Sequence, residues 1–186
     1  LRVVNVLSCK EQTPRPQRGE GETIRATNGG ILMLTYHLMT EQEKELASSW
    51  QYEGEYAIYN EPSYQEQKEK GIGFGNPARD KNFYAYCDGQ TLVGYTNILE
   101  ERQAVFIGIG VRPDLCGQGY GQQMMKLAQT ISQTLYPGKP LYLEVRSWNR
   151  RAIRCYEKAG FVAEGEPFIQ RTPIGEGEFI RMVWRG

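Results

Sequence analysis

The run Ile109-Gly110-Val111-Arg112-Pro113-Asp114-Leu115-Cys116-Gly117-Gln118-Gly119-Tyr120-Gly121 decides how this chain is read. It leaves the segment Ala104–Val111, which is apolar on both faces and so predicts a central strand. It enters Gln122–Leu135, where Met124, Leu127, Ala128, Ile131 and Leu135 recur at helical spacing. Between the two, glycines at 117, 119 and 121 remove side chains where a ligand would meet backbone. The N–H groups of the helix start then converge on one point, which suits a phosphate. The helix end alone stabilises an anion by about 0.3–2 kcal/mol. The run lacks the Gly-Lys-Ser/Thr ending of a Walker A loop. Its G-x-G-x-G spacing, late in the chain, also departs from the dinucleotide fingerprint. A turn that only permits tight strand–helix packing is the competing reading.

Downstream, Leu141–Arg146 predicts the next strand. The stretch Glu144-Val145-Arg146-Ser147-Trp148-Asn149-Arg150-Arg151-Ala152-Ile153-Arg154-Cys155-Tyr156-Glu157-Lys158-Ala159-Gly160-Phe161 carries it into a short helix, Arg150–Ala159. Asn149 is its N-cap and Gly160 its C′ residue. Asn149, Ala152 and Tyr156 stand at i, i+3 and i+7 and share one face. The bland alternatives are a plain N-cap and a tyrosine with its hydroxyl at the surface. Phe161–Ile169 and Glu178–Trp184 predict two closing strands.

Upstream, Leu32–Leu38 predicts a strand, and Thr40-Glu41-Gln42-Glu43 is a capping box that starts a helix running to about Trp50. A second helix is expected around Ser63–Lys70. Asn82–Cys87, the turn Asp88-Gly89 and Thr91–Leu99 predict a hairpin. The order of elements predicts an α/β (α+β) fold, one sheet with helices packed on it. Residues 1–32 hold Pro14, Pro16, Gly19, Gly21, Gly29 and Gly30 with little periodic apolar pattern, and are expected to be a disordered or non-native extension. Met33 is the expected natural start, with Gly29-Gly30 as a ribosome-binding site read in frame, and the domain is then 33–186.

The 186 residues carry 22 Lys plus Arg and 22 Asp plus Glu, so no global field exists to hold nucleic acid. The longest apolar stretch, Val105–Val111, is far too short to span a bilayer. Leu1–Leu7 lacks the cleavage region of a secretory signal. Cys9, Cys87, Cys116 and Cys155 show neither metal-ligand spacing nor disulfide density, so a reducing, cytoplasmic setting is expected. His37 stands alone, which argues against a His-rich metal site, and no metal is expected. Charge is uneven: Glu41 to Glu69 nets −6, and Lys139 to Lys158 nets +4. The basic stretch suits an anionic cofactor. The acidic stretch, with Tyr52, Tyr56, Tyr59 and Tyr64, suits a cationic amine, or is a solvated helix face with a few core tyrosines.

Together the two motif stretches resemble the GNAT superfamily of acetyl-CoA-dependent N-acetyltransferases. The first is similar to its V-x-P-x-x-(Arg/Gln)-G-x-G-x-G loop, the second to its N-x-x-A-x-x-x-Y-x-x-x-G-F motif, and the element order over 33–186 matches throughout. The resemblance implies a mixed, mostly antiparallel twisted sheet of six to seven strands, with about four helices on both faces and a central parallel pair splayed at the cofactor site. It implies a cofactor-binding set of Ile109, Val111, Cys116, Gly117, Gln118, Gly119, Tyr120, Gly121, Asn149, Ala152 and Tyr156. Amides from Gly117 to Gly121 would hold the CoA pyrophosphate. The main chain of Ile109 and Val111 would pair with the pantetheine amides, and Asn149 would bond the same arm. Tyr156 would be the general acid at the sulfur. Cys116 departs from the family's Arg or Gln, but the contact there is through backbone.

The reaction so implied is direct acetyl transfer in a ternary complex, to a primary amine on a small cationic molecule or a peptide N-terminus. Glu144 would be the base, in a segment that resembles the ribosomal-protein N-terminal alanine acetyltransferases. Its alternative is a strand carboxylate paired with Arg146 or a neighbour. Glu100 and Glu101 are the reserve candidates. A non-catalytic acyl-CoA-binding sensor is the alternative function. The protein would be a monomer or homodimer.

Overall fold

In the computed structural model, which describes residues 34–172 and 175–184, hydrophobic patterning resolves into one eight-stranded sheet. The strands are β1 (Leu34–Leu38), β2 (Phe83–Asp88), β3 (Thr91–Glu100), β4 (Val105–Val111), β5 (Leu141–Arg146), β6 (Phe161–Ala163), β7 (Phe168–Thr172) and β8 (Gly175–Trp184). Their order is β1-β2-β3-β4-β5-β8-β6, with β7 also paired to β8. Only β4 and β5 are parallel, among the described residues. The expected extension at 1–32, and the proposed start at Met33, lie outside the described residues.

The helices are α1 (Glu41–Ser48), α2 (Tyr64–Lys70), α3 (Tyr120–Leu135) and α4 (Arg150–Lys158). Both α1 and α2 open with full capping boxes, from Thr40 with Glu43 and from Ser63 with Glu66. Local chemistry thus fixes both starts. Helix α3 begins at Tyr120, two residues before the periodicity suggested, because Gly119 at φ +89° is already its N-cap.

Adjacent residues of β3 show that helices cover both faces. A side chain at Gly94 would strike Met124 of α3. On the opposite face Tyr95 packs against Trp50 and Phe74, near α1 and α2. Strand β4 is buried along its whole length, as an apolar run flanked by strands and covered on both faces should be. The fold class is as expected, with one difference in strand count. The single strand predicted over Phe161–Ile169 is broken into β6 and β7, because Gly165 takes φ +74° and Pro167 has no N–H to donate.

Candidate active site

The parallel pair opens. Strand β4 pairs with β5 only at Val105–Leu141 and Phe106–Tyr142, although β4 runs on to Val111 and β5 to Arg146. Val105 N–H donates to Pro140 on the β5 side at 2.8 Å, and Arg112 N–H donates to Val93 on the β3 side at 2.9 Å. Amides along a strand alternate between its two edges, so Ile107, Ile109 and Val111 turn their main chain toward the gap. A parallel pair that opens here is what the resemblance implied for the fold.

At the end of β4 the chain turns through the glycine run. Gly117 and Gly119 hold φ of +84° and +89°, a region where an L side chain is strained, and a Cβ at either would point into open space. Gly121 has a different reason. A Cβ there would lie 3.1 Å from Cys155 Sγ, so glycine lets α3 pack against α4. The loop's side chains hold the loop itself. Arg112 makes a two-pronged bridge to Asp114 at 2.7 and 2.9 Å. Gln118 donates to the Asp114 carbonyl, and Tyr120 Oη donates to Asp88 at 2.8 Å. Cys116 turns its sulfur inward, 3.7 Å from the carbonyls of Val111 and Arg112. With its side chains engaged, the loop presents backbone at the start of α3, where Gln122 and Gln123 N–H already donate to the Gly119 carbonyl at 3.2 and 3.4 Å.

Tyr156 on α4 has no solvent exposure, and its hydroxyl has no hydrogen-bond partner among the described residues. Burial, with neighbouring Cys155, Tyr59 and Tyr52, drives its pKa well above the ordinary phenol value, so the group is a neutral donor. An orphaned buried hydroxyl is costly, by about 1–3 kcal/mol, unless something else occupies the site. An arm that carries a sulfur or carbonyl into the gap fits that need.

Asn149 is the N-cap of α4, as its sequence position predicts. Its Oδ1 accepts the Ala152 N–H at 3.1 Å and its Nδ2 donates to Tyr59 Oη at 3.2 Å. Its side chain is thus engaged within the protein on both atoms. Tyr59 in turn stacks on Trp148, which also meets Tyr56, and the Arg151 guanidinium lies over the Tyr56 ring at 4.1 Å. Tyr52 donates to the Val111 carbonyl at 2.8 Å. Sequence reasoning noted Tyr52, Tyr56 and Tyr59 only as aromatics in an acidic stretch. It had no means of finding Tyr52 on Val111, which is 59 residues away.

Glu144 lies on the other face of β5, with Tyr142 and Arg146. Phe106 and Tyr142 pack edge to face, and a Cβ at Gly110 would strike Tyr95, so Phe106, Gly110 and Glu144 share the face that α1 and α2 cover elsewhere. Glu144 is half-buried and sits directly opposite Arg181 of β8, whose guanidinium lies 3.9 Å over the Tyr142 ring. The reserve carboxylates are committed elsewhere. Glu100 accepts from Lys139 at 2.6 Å and Glu101 from Tyr142 Oη at 2.8 Å. Both lie at the closed end of the pair, since Glu100 is opposite Val105, about 20 Å along the strand from Val111.

The basic stretch is only partly free for an anion. Arg146 reaches the carbonyls of Glu176 and Gly175 at 3.1 Å and stacks on Phe179, because strand alternation turns it onto the Glu144 face. Lys139 is held at the closed end, leaving Arg150, Arg154 and Lys158 exposed on α4. The acidic stretch is likewise partly structural. Glu41 accepts from Lys44 and Tyr64, and Glu43 and Glu66 serve the capping boxes.

A sheet that opens beside a glycine-lined helix start defines a class. Residues 39–161 match the family described as Acetyltransferase (GNAT) family, and the chain belongs to it. Acetyl-CoA is that family's cosubstrate. The chain is 34% identical over 91 residues to the spermidine N(1)-acetyltransferase of Escherichia coli strain K12, covering 47% of this chain and 48% of that protein. It thus spans about half the length of that relative. It is 27% identical over 147 residues to the spermidine N(1)-acetyltransferase of Vibrio cholerae serotype O1, covering 77% of this chain and 80% of that one. Among solved structures, the spermidine N-acetyltransferase from Vibrio cholerae in complex with CoA and spermine shares the fold, with a TM-score of 0.66 at 20% identity over 81% of this chain and 94% of that chain. No helix among the described residues is long and apolar enough to cross a membrane.

Proposed function

We propose that residues 33–186 form an N-acetyltransferase domain that moves the acetyl group of acetyl-CoA onto a primary amine of a small polycation of the polyamine class. The observation that carries this is the buried, partnerless hydroxyl of Tyr156, beside tyrosines that reach the open end of β4. Acetyl-CoA supplies the activated acyl group and a thiol leaving group. Amides from Gly117 to Gly121, with Cys116, Gln118 and Tyr120 shaping the turn, hold the pyrophosphate. The main chain of Ile109 and Val111 orients the pantetheine arm, and Asn149 and Ala152 set the start of α4 against it. Val111 N–H meets the charge that develops on the acyl oxygen. Tyr156, kept protonated by burial, gives its proton to the departing sulfur.

The acceptor must lose a proton first. An alkylammonium has a pKa of about 10.4, so roughly one molecule in a thousand or fewer is neutral at pH 7. Glu144 takes that proton, directly or through water, from the face of β5 that it shares with Tyr142. Exposed Glu53 and Glu55 flank Tyr52 and Tyr56, which favours a cation at this end. The names of the matched relatives point to the same acceptor class.

Thiol release from acetyl-CoA, followed with a polyamine, a free amino acid and a short peptide, tests the proposal. Release that depends on the polyamine is expected. Glu144→Gln should lower it about 10²–10⁴-fold near pH 7 and less at high pH, where the amine is already neutral. Release with the peptide alone would exclude the polyamine assignment. No release with any amine, while CoA still binds, would turn the reading to a sensor.

A further inference from the structure

Three ligand atoms of different chemistry converge beside α1, away from the gap. His37 on β1 pairs with Ala85 of β2, and Cys87 pairs with Thr35, so the histidine and cysteine project from the same face of the two strands, one step apart. Glu43 joins them from the first turn of α1. His37 Nε2 lies 2.8 Å from Glu43 Oε1, Cys87 Sγ lies 3.9 Å from the same oxygen, and all three atoms fall within 4.8 Å of one another. No other group of three or more His, Cys, Asp or Glu gathers in this way among the described residues.

We propose that His37, Glu43 and Cys87 form a Zn²⁺ site. Metal bonds of 2.0–2.3 Å in a tetrahedral site space the ligands about 3.3–3.8 Å apart, so shifts of about 1 Å convert this triangle into three corners. The carboxylate is already oriented for it. Glu43 Oε2 accepts from the Thr40 N–H at 2.8 Å and the Thr40 hydroxyl at 2.9 Å, which leaves Oε1 aimed at the other two groups. Such outer bonds are what hold a ligating carboxylate in place. Thiolate, imidazole and carboxylate together suit zinc, whereas magnesium and calcium take oxygen ligands. On binding, the Cys87 thiol proton leaves to solvent, and the imidazole keeps its proton on Nδ1 while Nε2 ligates. The His37 side chain is 41% exposed, which gives the ion a way in and leaves a fourth corner for water. The bound ion would tie α1 to the β1–β2 edge of the sheet. The spacing is invisible in sequence because the ligands stand 6 and 44 residues from or to Glu43 on three separate elements.

The test is zinc titration of the full, chelator-stripped chain against a chromophoric chelator, with Co²⁺ as the spectroscopic probe. One Zn²⁺ per chain is expected. Co²⁺ should give the strong visible bands of four-coordination and a thiolate charge-transfer band, and zinc should raise the melting temperature. His37→Gln, at an exposed position, and Cys87→Ser should each weaken zinc by more than the about 10–100-fold that follows loss of an outer partner. Cys9→Ser, Cys116→Ser and Cys155→Ser should leave it unchanged. Absence of the thiolate band, or equal zinc affinity in His37→Gln or Cys87→Ser, overturns the site. Neither result bears on acetyl transfer.

Discussion

The hydroxyl of Tyr52 donates to the main-chain carbonyl of Val111 at 2.8 Å, and both groups are buried. This bond ties the segment after α1 to the last residue of β4, where the strand has already parted from β5. Replacing the phenol by phenylalanine keeps the ring packing but leaves the carbonyl, among the described residues, with the weak Cys116 thiol at 3.7 Å. Tyr52→Phe should therefore lower unfolding free energy in urea by about 1–3 kcal/mol.

Tyr156→Phe should separate chemistry from stability. The hydroxyl makes no hydrogen bond, so its removal should leave the melting temperature equal or higher. Turnover should fall about 10²–10⁴-fold, the range for loss of a general acid, while calorimetry shows CoA binding unchanged. A variant with full turnover would remove Tyr156 from the proton path.

Gly119→Ala tests the anion cradle. At φ +89° an alanine is strained by roughly 1–2 kcal/mol, and its methyl would stand in the open space above the α3 start. CoA affinity should drop, as read by calorimetry. Gly89→Ala, in the β2–β3 turn at φ +57°, should carry similar strain and leave affinity intact.

Acid should weaken the α1–α2 contact. A hydrogen bond from Tyr64, then one from Lys44, hold the Glu41 pKa below its usual value of 4.5. A carboxyl whose folded pKa is depressed adds stability above the unfolded value and loses it as pH falls through the folded one. Stability by urea unfolding should thus decline below about pH 4.5, and Glu41→Gln should flatten that decline.

Much of this architecture could be read directly from the chain. The capping boxes at Thr40 and Ser63, the Asp88-Gly89 hairpin, the Asn149 cap and the buried run of β4 are written in residues within a few positions of one another. So is the left-handed turn at Gly117 and Gly119, because only glycine adopts it without strain. The break between β6 and β7 was missed because both halves are apolar and pair the same strand, and only Gly165 and Pro167 mark it.

What the chain alone determined is thus local: where each element starts and stops, and that Asn149, Ala152 and Tyr156 share a helix face. Tertiary structure decided the rest: the parting of β4 from β5, the isolation of the Tyr156 hydroxyl, the turning of Arg146 toward the β7–β8 arm, and the meeting of His37, Glu43 and Cys87. The physical reason is reach. Caps and turns are closed by bonds over three or four residues, whereas burial and partnership depend on which distant segments the sheet brings together.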